Sequence, residues 1–188
     1  MAQNITKGNP TKLLVEFMIP VLIGNLFQNL YGIVDSMVVG RYLGVDALAA
    51  VGSVGIVTFG VQGLAIGMTS GFGIIFSQCY GGQKESELRH HIAVAAYVSV
   101  MFSVLMTGIL LGYLPLLLEL MNIPQEIYGE TELYTRIFFW GFGACVAYNF
   151  FSAAARAVGD SRTPLYFLIF SSVLNVILDI VLIRDFGM

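Results

Sequence analysis

Apolar residues run along this chain in five long blocks separated by short polar joints. The blocks cover roughly 13–40, 51–80, 92–118, 133–155 and 164–183. A helix needs about 20 mainly apolar residues to cross the hydrocarbon core. Only a helix or a closed barrel satisfies its backbone there. The pattern therefore predicts an all-α integral membrane protein, a bundle of about five transmembrane helices. The second block is long enough to tilt or to project beyond the bilayer. The joints fall at 41–50, 81–91, 119–132 and 156–163, and no linker or low-complexity tract separates two domains. One bundle over 1–188 is expected.

Composition supports the same class. Of 188 residues, 57% are hydrophobic and 11% charged, against about 25% charged in soluble domains. Mean hydropathy is +0.81. A net charge of −3 without a dense basic cluster argues against nucleic acid as a partner. Cys79 and Cys145 lie far apart in apolar surroundings, which gives neither metal spacing nor a disulfide framework. The polar start, 1–11, is followed by an apolar block too long for a signal-peptide core, so the first block is expected to remain as a helix. His90 and His91 are adjacent and do not share a helix face, which suits an interface better than a metal site. Gly63, Gly67 and Gly71 recur every four residues, a spacing that predicts a seam for close helix contact. No nucleophile–base pair or metal cluster emerges, which disfavours an enzyme.

Cationic loop residues set orientation. With a cytoplasmic N-terminus, that side carries Lys7, Lys12, Lys84, Arg89, Arg156 and Arg162, and the other carries Arg41, Arg136 and Arg184. The outer side also carries Glu119, Glu126, Glu130 and Glu132 in its longest joint. The split is six against three, so the expected placement is multi-pass in the plasma (inner) membrane with the N-terminus inside. The ending, Arg184 to Met188, reads like a turn toward a sixth helix.

The informative residues are acids inside the blocks, because a charge at the bilayer centre costs about 2.5–3.5 kcal/mol on insertion scales. Asp35 precedes Arg41 in the first block, and Asp179 precedes Arg184 in the fifth. At 1.5 Å per residue, each acid sits about 8–9 Å below its outer basic marker. The two helices are expected to be parallel, with their carboxyls at one level. Asn175, four residues before Asp179, lies on the same face one turn deeper. Such oxygens suit a proton or a hard cation such as Na⁺. Burial favours the protonated form of a carboxylate, and a second acid nearby does so further. The bland reading places each acid near the interface, solvated by headgroups. Gln28, Tyr31 and Asp35 form a polar stripe at i, i+3 and i+7; Asn149 with Ser152, and Thr58 with Gln62, form shorter ones. In lipid such groups face the bundle or a wet cavity, or simply bond between helices.

These residues resemble a known family. The stretch Ile19-Pro20 through Asn25-Leu26, then Tyr31-Gly32-Ile33-Val34-Asp35 and Val39-Gly40-Arg41, is similar to the opening of the MATE multidrug and toxin extruders. So are Ala47 to Gly52, the loop Arg156 to Pro164, and Asn175 followed by Asp179. The resemblance runs in order from residue 12 to residue 183. It implies cation-driven export of small organic, often cationic, compounds by alternating access between two six-helix lobes. By position, it implies that Asp35, Asn175 and Asp179 bind the coupling ion, H⁺ or Na⁺. Gln28, Tyr31 and Asn149 are implied as candidates to line the substrate cavity. No cofactor beyond that ion is expected.

A full member has twelve helices, so the resemblance casts this chain as an N-terminal portion that lacks a sixth helix and the C-terminal lobe. Two alternatives stand beside export. A flippase of lipid-linked precursors should carry more cations in its cavity, where these blocks carry acids. A non-transporting membrane subunit would tolerate Asn at positions 35 and 179.

Overall fold

The computed structural model describes residues 10–186; in the last helix, the side chains at 179, 180 and 182–186 lie outside that description, as does Lys7. Among the described residues the chain is all-α, with helices α1 (Pro10–Tyr42), α2 (Val45–Ser53), α3 (Gly55–Gly81), α4 (Glu85–Gly112), α5 (Leu114–Leu120), α6 (Tyr128–Trp140), α7 (Phe142–Ala157) and α8 (Arg162–Phe186). Thr11–Tyr42, Gly55–Gly81 and Glu85–Gly112 are each long and apolar enough to cross a membrane, and α6 with α7 passes as a fourth, bent span. The described apolar stretch of α8 is Arg162–Leu178.

The helix breaks follow local chemistry that the apolar blocks hide. The 51–80 block divides at Val54, between Gly52 and Gly55, and α2 reaches back to Val45 through what reads as a polar joint. The 92–118 block ends its long helix at Gly112. Pro115 follows in the first turn of α5, where it is tolerated; were α4 to continue through it, its missing N–H and its ring would break the helix. The 133–155 block bends by 41° between α6 and α7. Gly141 lies at this bend, and its carbonyl accepts the N–H groups of both Ala144 (3.0 Å) and Cys145 (3.2 Å). The 119–132 joint shrinks to 121–127, because Glu119 belongs to α5 and Glu130 and Glu132 to α6. Glu132 pairs there with Arg136.

The chain divides into two compact units, one holding α1 and α8, the other Ala49–Ala157. In the second unit α3 packs on α7, and α4 packs on both. The contact row of α3 is Val61, Ala65, Thr69 and Gly73. A Cβ at position 73 would lie 3.5 Å from Ala153 Cβ. Association in lipid lacks a hydrophobic drive and rests on such close packing. The expected four-residue seam exists, but on another face: a Cβ at Gly63, Gly67 or Gly71 would meet nothing within 4 Å among the described residues. Phe139, Leu118 and Leu114 are almost completely buried around the α5–α6 corner. A second cluster joins Phe76, Ala95, Phe150 and Ala157. Buried Thr69, Thr131 and Thr135 each donate to the carbonyl one turn back, at 2.7–2.8 Å, so these hydroxyls carry no unmet demand.

The turn into α8 is a capped one. Gly159 adopts φ +86°, a left-handed conformation that closes α7 without a Cβ penalty. Asp160 then accepts the backbone N–H groups of Arg162 (3.1 Å) and Thr163 (3.0 Å) and the Thr163 hydroxyl (2.6 Å). Hydrogen bonding from Thr163 holds the Asp160 carboxyl below the usual carboxylate range. A depressed value means the stabilisation is complete above about pH 4 and is lost as pH falls through that range toward the lower folded value. Asp160→Ala should cost about 1 kcal/mol in thermal unfolding of the detergent-solubilised chain at pH 7. Asp160→Asn should retain most of the cap while losing its pH dependence.

Candidate functional site: a polar row between α1 and α8

Within the first unit, α1 and α8 pack against each other. Gly24 is buried in α1, and a Cβ there would lie 3.7 Å from both Leu165 Cδ1 and Leu168 Cδ2. This contact fixes which faces meet. Eleven residues make close to three turns of 3.6, so Asp35 returns to the face that carries Gly24. Position 179 returns likewise to the face of Leu168. The rows are Gly24–Tyr31–Asp35 on α1 and Leu168–Asn175–Asp179 on α8, with identical spacing.

With α3, α4 and the bent α6–α7 pair each crossing once, α1 and α8 would run in the same sense. Counted from Leu168 in that sense, the equal spacing would bring position 31 near the level of 175, and position 35 near that of 179. A crossing angle of about 20°, common in membrane bundles, would widen the gap over three turns without changing the level.

Burial follows the rows. Tyr31 and Asp35 are half-buried, and each takes part in a polar or ring contact. Gln28, about 40° off the Gly24 row, is exposed. Asn175 is half-buried, and its Oδ1 is buried with no hydrogen-bond partner among the described residues. A buried polar atom left unpaired costs about 1–3 kcal/mol. Such an oxygen calls for an explanation, an ion among them. The Asp179 side chain lies outside the described residues. Among the described residues no group of three or more His, Cys, Asp or Glu could hold a metal ion.

Asn149 lies on α7, in the Ala49–Ala157 unit. Its Nδ2 donates to the Cys145 carbonyl at 2.9 Å and approaches Cys145 Sγ at 3.5 Å. Thr58 donates to carbonyls of its own helix, Ser152 is buried, and Gln62 is exposed.

The family model MatE matches residues 20–181, a stretch that includes both rows from Gly24 onward. The chain belongs to the MatE family. This is a family of multidrug efflux transporters, multi-pass membrane proteins built from apolar helices. The chain is 34% identical to the probable multidrug resistance protein YpnP of Bacillus subtilis over 194 residues, all of this chain and 42% of that protein. It is 32% identical to YoeA of the same organism, again over all of this chain and 41% of the relative. Among solved structures, the outward-facing conformation of a multidrug resistance MATE family transporter matches all of the chain with a TM-score of 0.92 at 25% identity, covering 42% of that structure. A MOP superfamily transporter from Pyrococcus furiosus matches with a TM-score of 0.92 at 26% identity, also across all of this chain and 42% of the other. The chain thus spans about two-fifths of the length of the MATE relatives it matches.

Proposed function

We propose that this chain carries the ion-coupling site of a secondary antiporter that exports drugs or other small organic, often cationic, compounds in exchange for H⁺ or Na⁺. Asp35, Asn175 and Asp179 bind the coupling ion. The observation that carries the reading is the unpartnered Asn175 Oδ1 on a row facing the one that holds Asp35. A carboxylate and an amide oxygen at adjacent levels suit a hard cation, and a carboxyl in a low-dielectric setting can equally hold and release a proton. Tyr31, one turn from Asp35, orders the site from the α1 side. Gln28, Tyr31 and Asn149 are the candidates for residues that line the substrate cavity. The protein sits in the plasma (inner) membrane with its N-terminus in the cytoplasm. In the same reading, the additional length of the relatives corresponds to a second lobe against which this one alternates, and no cofactor beyond the ion is used.

Efflux of a fluorescent organic cation from cells tests the reading, with the chain expressed alongside its native flanking sequence. The proton and sodium gradients are collapsed separately. Export should stop when one gradient is removed and persist without the other, which names the ion. Export indifferent to both gradients would contradict antiport.

A further inference from the structure

The Ala49–Ala157 unit holds a groove of about 190 Å³ between α4 and α7, lined among others by Ser99, Ser103, Gly143, Ala147, Phe150 and Phe151. At Gly143 the two helices come close, and a Cβ there would lie 2.9 Å from Ser103 Oγ. Ser99 is only 5% exposed, and its Oγ is buried without a hydrogen-bond partner among the described residues. The buried threonines of the same unit all bond to their own helix. Ser99 does not, and its hydroxyl borders the groove.

Depth narrows the occupant. Ser99 lies halfway along the 28 residues of α4, about 21 Å from its start at 1.5 Å per residue. The first seven residues of α4 are polar apart from Leu88, so Ser99 lies about 10 Å into its apolar run, deeper than headgroups reach. Val100, Val104 and Phe151 beside the groove are exposed within the unit, so its mouth opens on apolar surface. A bound water needs two to four polar partners, and the side chains here supply only the minimum, two hydroxyls, in an otherwise apolar lining that a single water would not fill. An acyl chain would fill the space and leave Ser99 unpaired. A cavity of about 150 Å³ with apolar walls accepts benzene, so the groove has room for one ring and a small substituent. Phe150 and Phe151, edge to face with centroids 5.5 Å apart, suit an aromatic ring.

We propose that the α4–α7 groove is a binding site for small membrane-dissolved aromatic alcohols of the phenol class, with the ring against Phe150 and Phe151 and the hydroxyl bonded to Ser99. The site is separate from the α1–α8 row, and its test reads binding rather than efflux, so either proposal can fail alone.

The experiment photolabels the purified chain in phospholipid nanodiscs with a diazirine-bearing phenol and maps the adducts by mass spectrometry. Phenol and benzene serve as competitors at equal concentration in the membrane. Adducts should concentrate on 96–104 and 143–151, and phenol should protect about fivefold better than benzene, the equivalent of one hydrogen bond of about 1 kcal/mol. Ser99→Ala should abolish that difference, and Ala147→Leu should fill the groove and remove the adducts. Adducts spread evenly over the exposed apolar residues would overturn the proposal. So would equal protection by phenol and benzene in the unsubstituted chain, a comparison that needs no variant to fold.

Discussion

Asp35→Asn should lower gradient-driven efflux at least about tenfold, the equivalent of 1.4 kcal/mol, at unchanged membrane expression. Asparagine matches aspartate in size and keeps its capacity to accept a hydrogen bond. What it lacks is a negative charge to hold Na⁺ and a carboxyl to carry H⁺. Packing between α1 and α8, set by Gly24 against Leu165 and Leu168, is untouched by the change. Asp179→Asn should act alike, and Asn175→Leu should remove the amide oxygen that has no partner among the described residues. Asp160→Asn is the control. That acid caps α8 outside the row, so its loss should leave transport intact. Efflux assays on the four variants, normalised to expression, check the set. Full activity in Asp35→Asn and Asp179→Asn would return both acids to the role of solvated interfacial groups.

The second large effect falls on stability. Phe139 is completely buried at the end of α6, packed in the cluster that includes Leu114, Leu118 and Phe142. In water, Phe→Ala in a core costs about 3–5 kcal/mol, part of it transfer free energy and part the cavity left behind. In lipid the transfer part largely vanishes, because the unfolded reference is also in hydrocarbon. The cavity part remains. At about 24 cal/mol per Å³, removing about 100 Å³ of side chain gives about 2–3 kcal/mol. Reversible unfolding of Phe139→Ala in mixed detergent micelles should show a loss of that size, whereas Phe151→Ala, exposed in this unit, should lose much less.

The all-α class and the apolar spans were legible in the sequence because hydrocarbon imposes one demand, an unbroken apolar run, and 57% hydrophobic composition meets it. The breaks were not legible at that scale. Gly141 and Pro115 act on a few local backbone hydrogen bonds, and both sit inside apolar runs whose hydropathy does not register them. The glycine seam shows the same limit. Four-residue spacing pointed to Gly63, Gly67 and Gly71, yet the close-packed row on α3 is the one with the same spacing at Val61, Ala65, Thr69 and Gly73. Only the partner helix decides, and Ala153 faces the second row.

The candidate site was legible in part. Depth counted from the basic markers set Asp35 and Asp179 at one level, and the structure adds that α1 and α8 pack together at Gly24. The open bond of Asn175 could not be read from letters. Ser99 gave no signal at all, since one serine in an apolar helix resembles any other until its hydroxyl is seen to have no partner among the described residues. Asn149 looked like a cavity group, and in the structure its amide first serves its own helix through Cys145.

The most direct test of the coupling site is infrared difference spectroscopy on the purified chain in lipid, comparing spectra before and after adding Na⁺ at fixed pH and across a pH step. The account predicts an ion-dependent change in the carboxyl stretching bands of the unsubstituted chain that is lost in Asp35→Asn and Asp179→Asn. The same difference spectrum in all three proteins would contradict it.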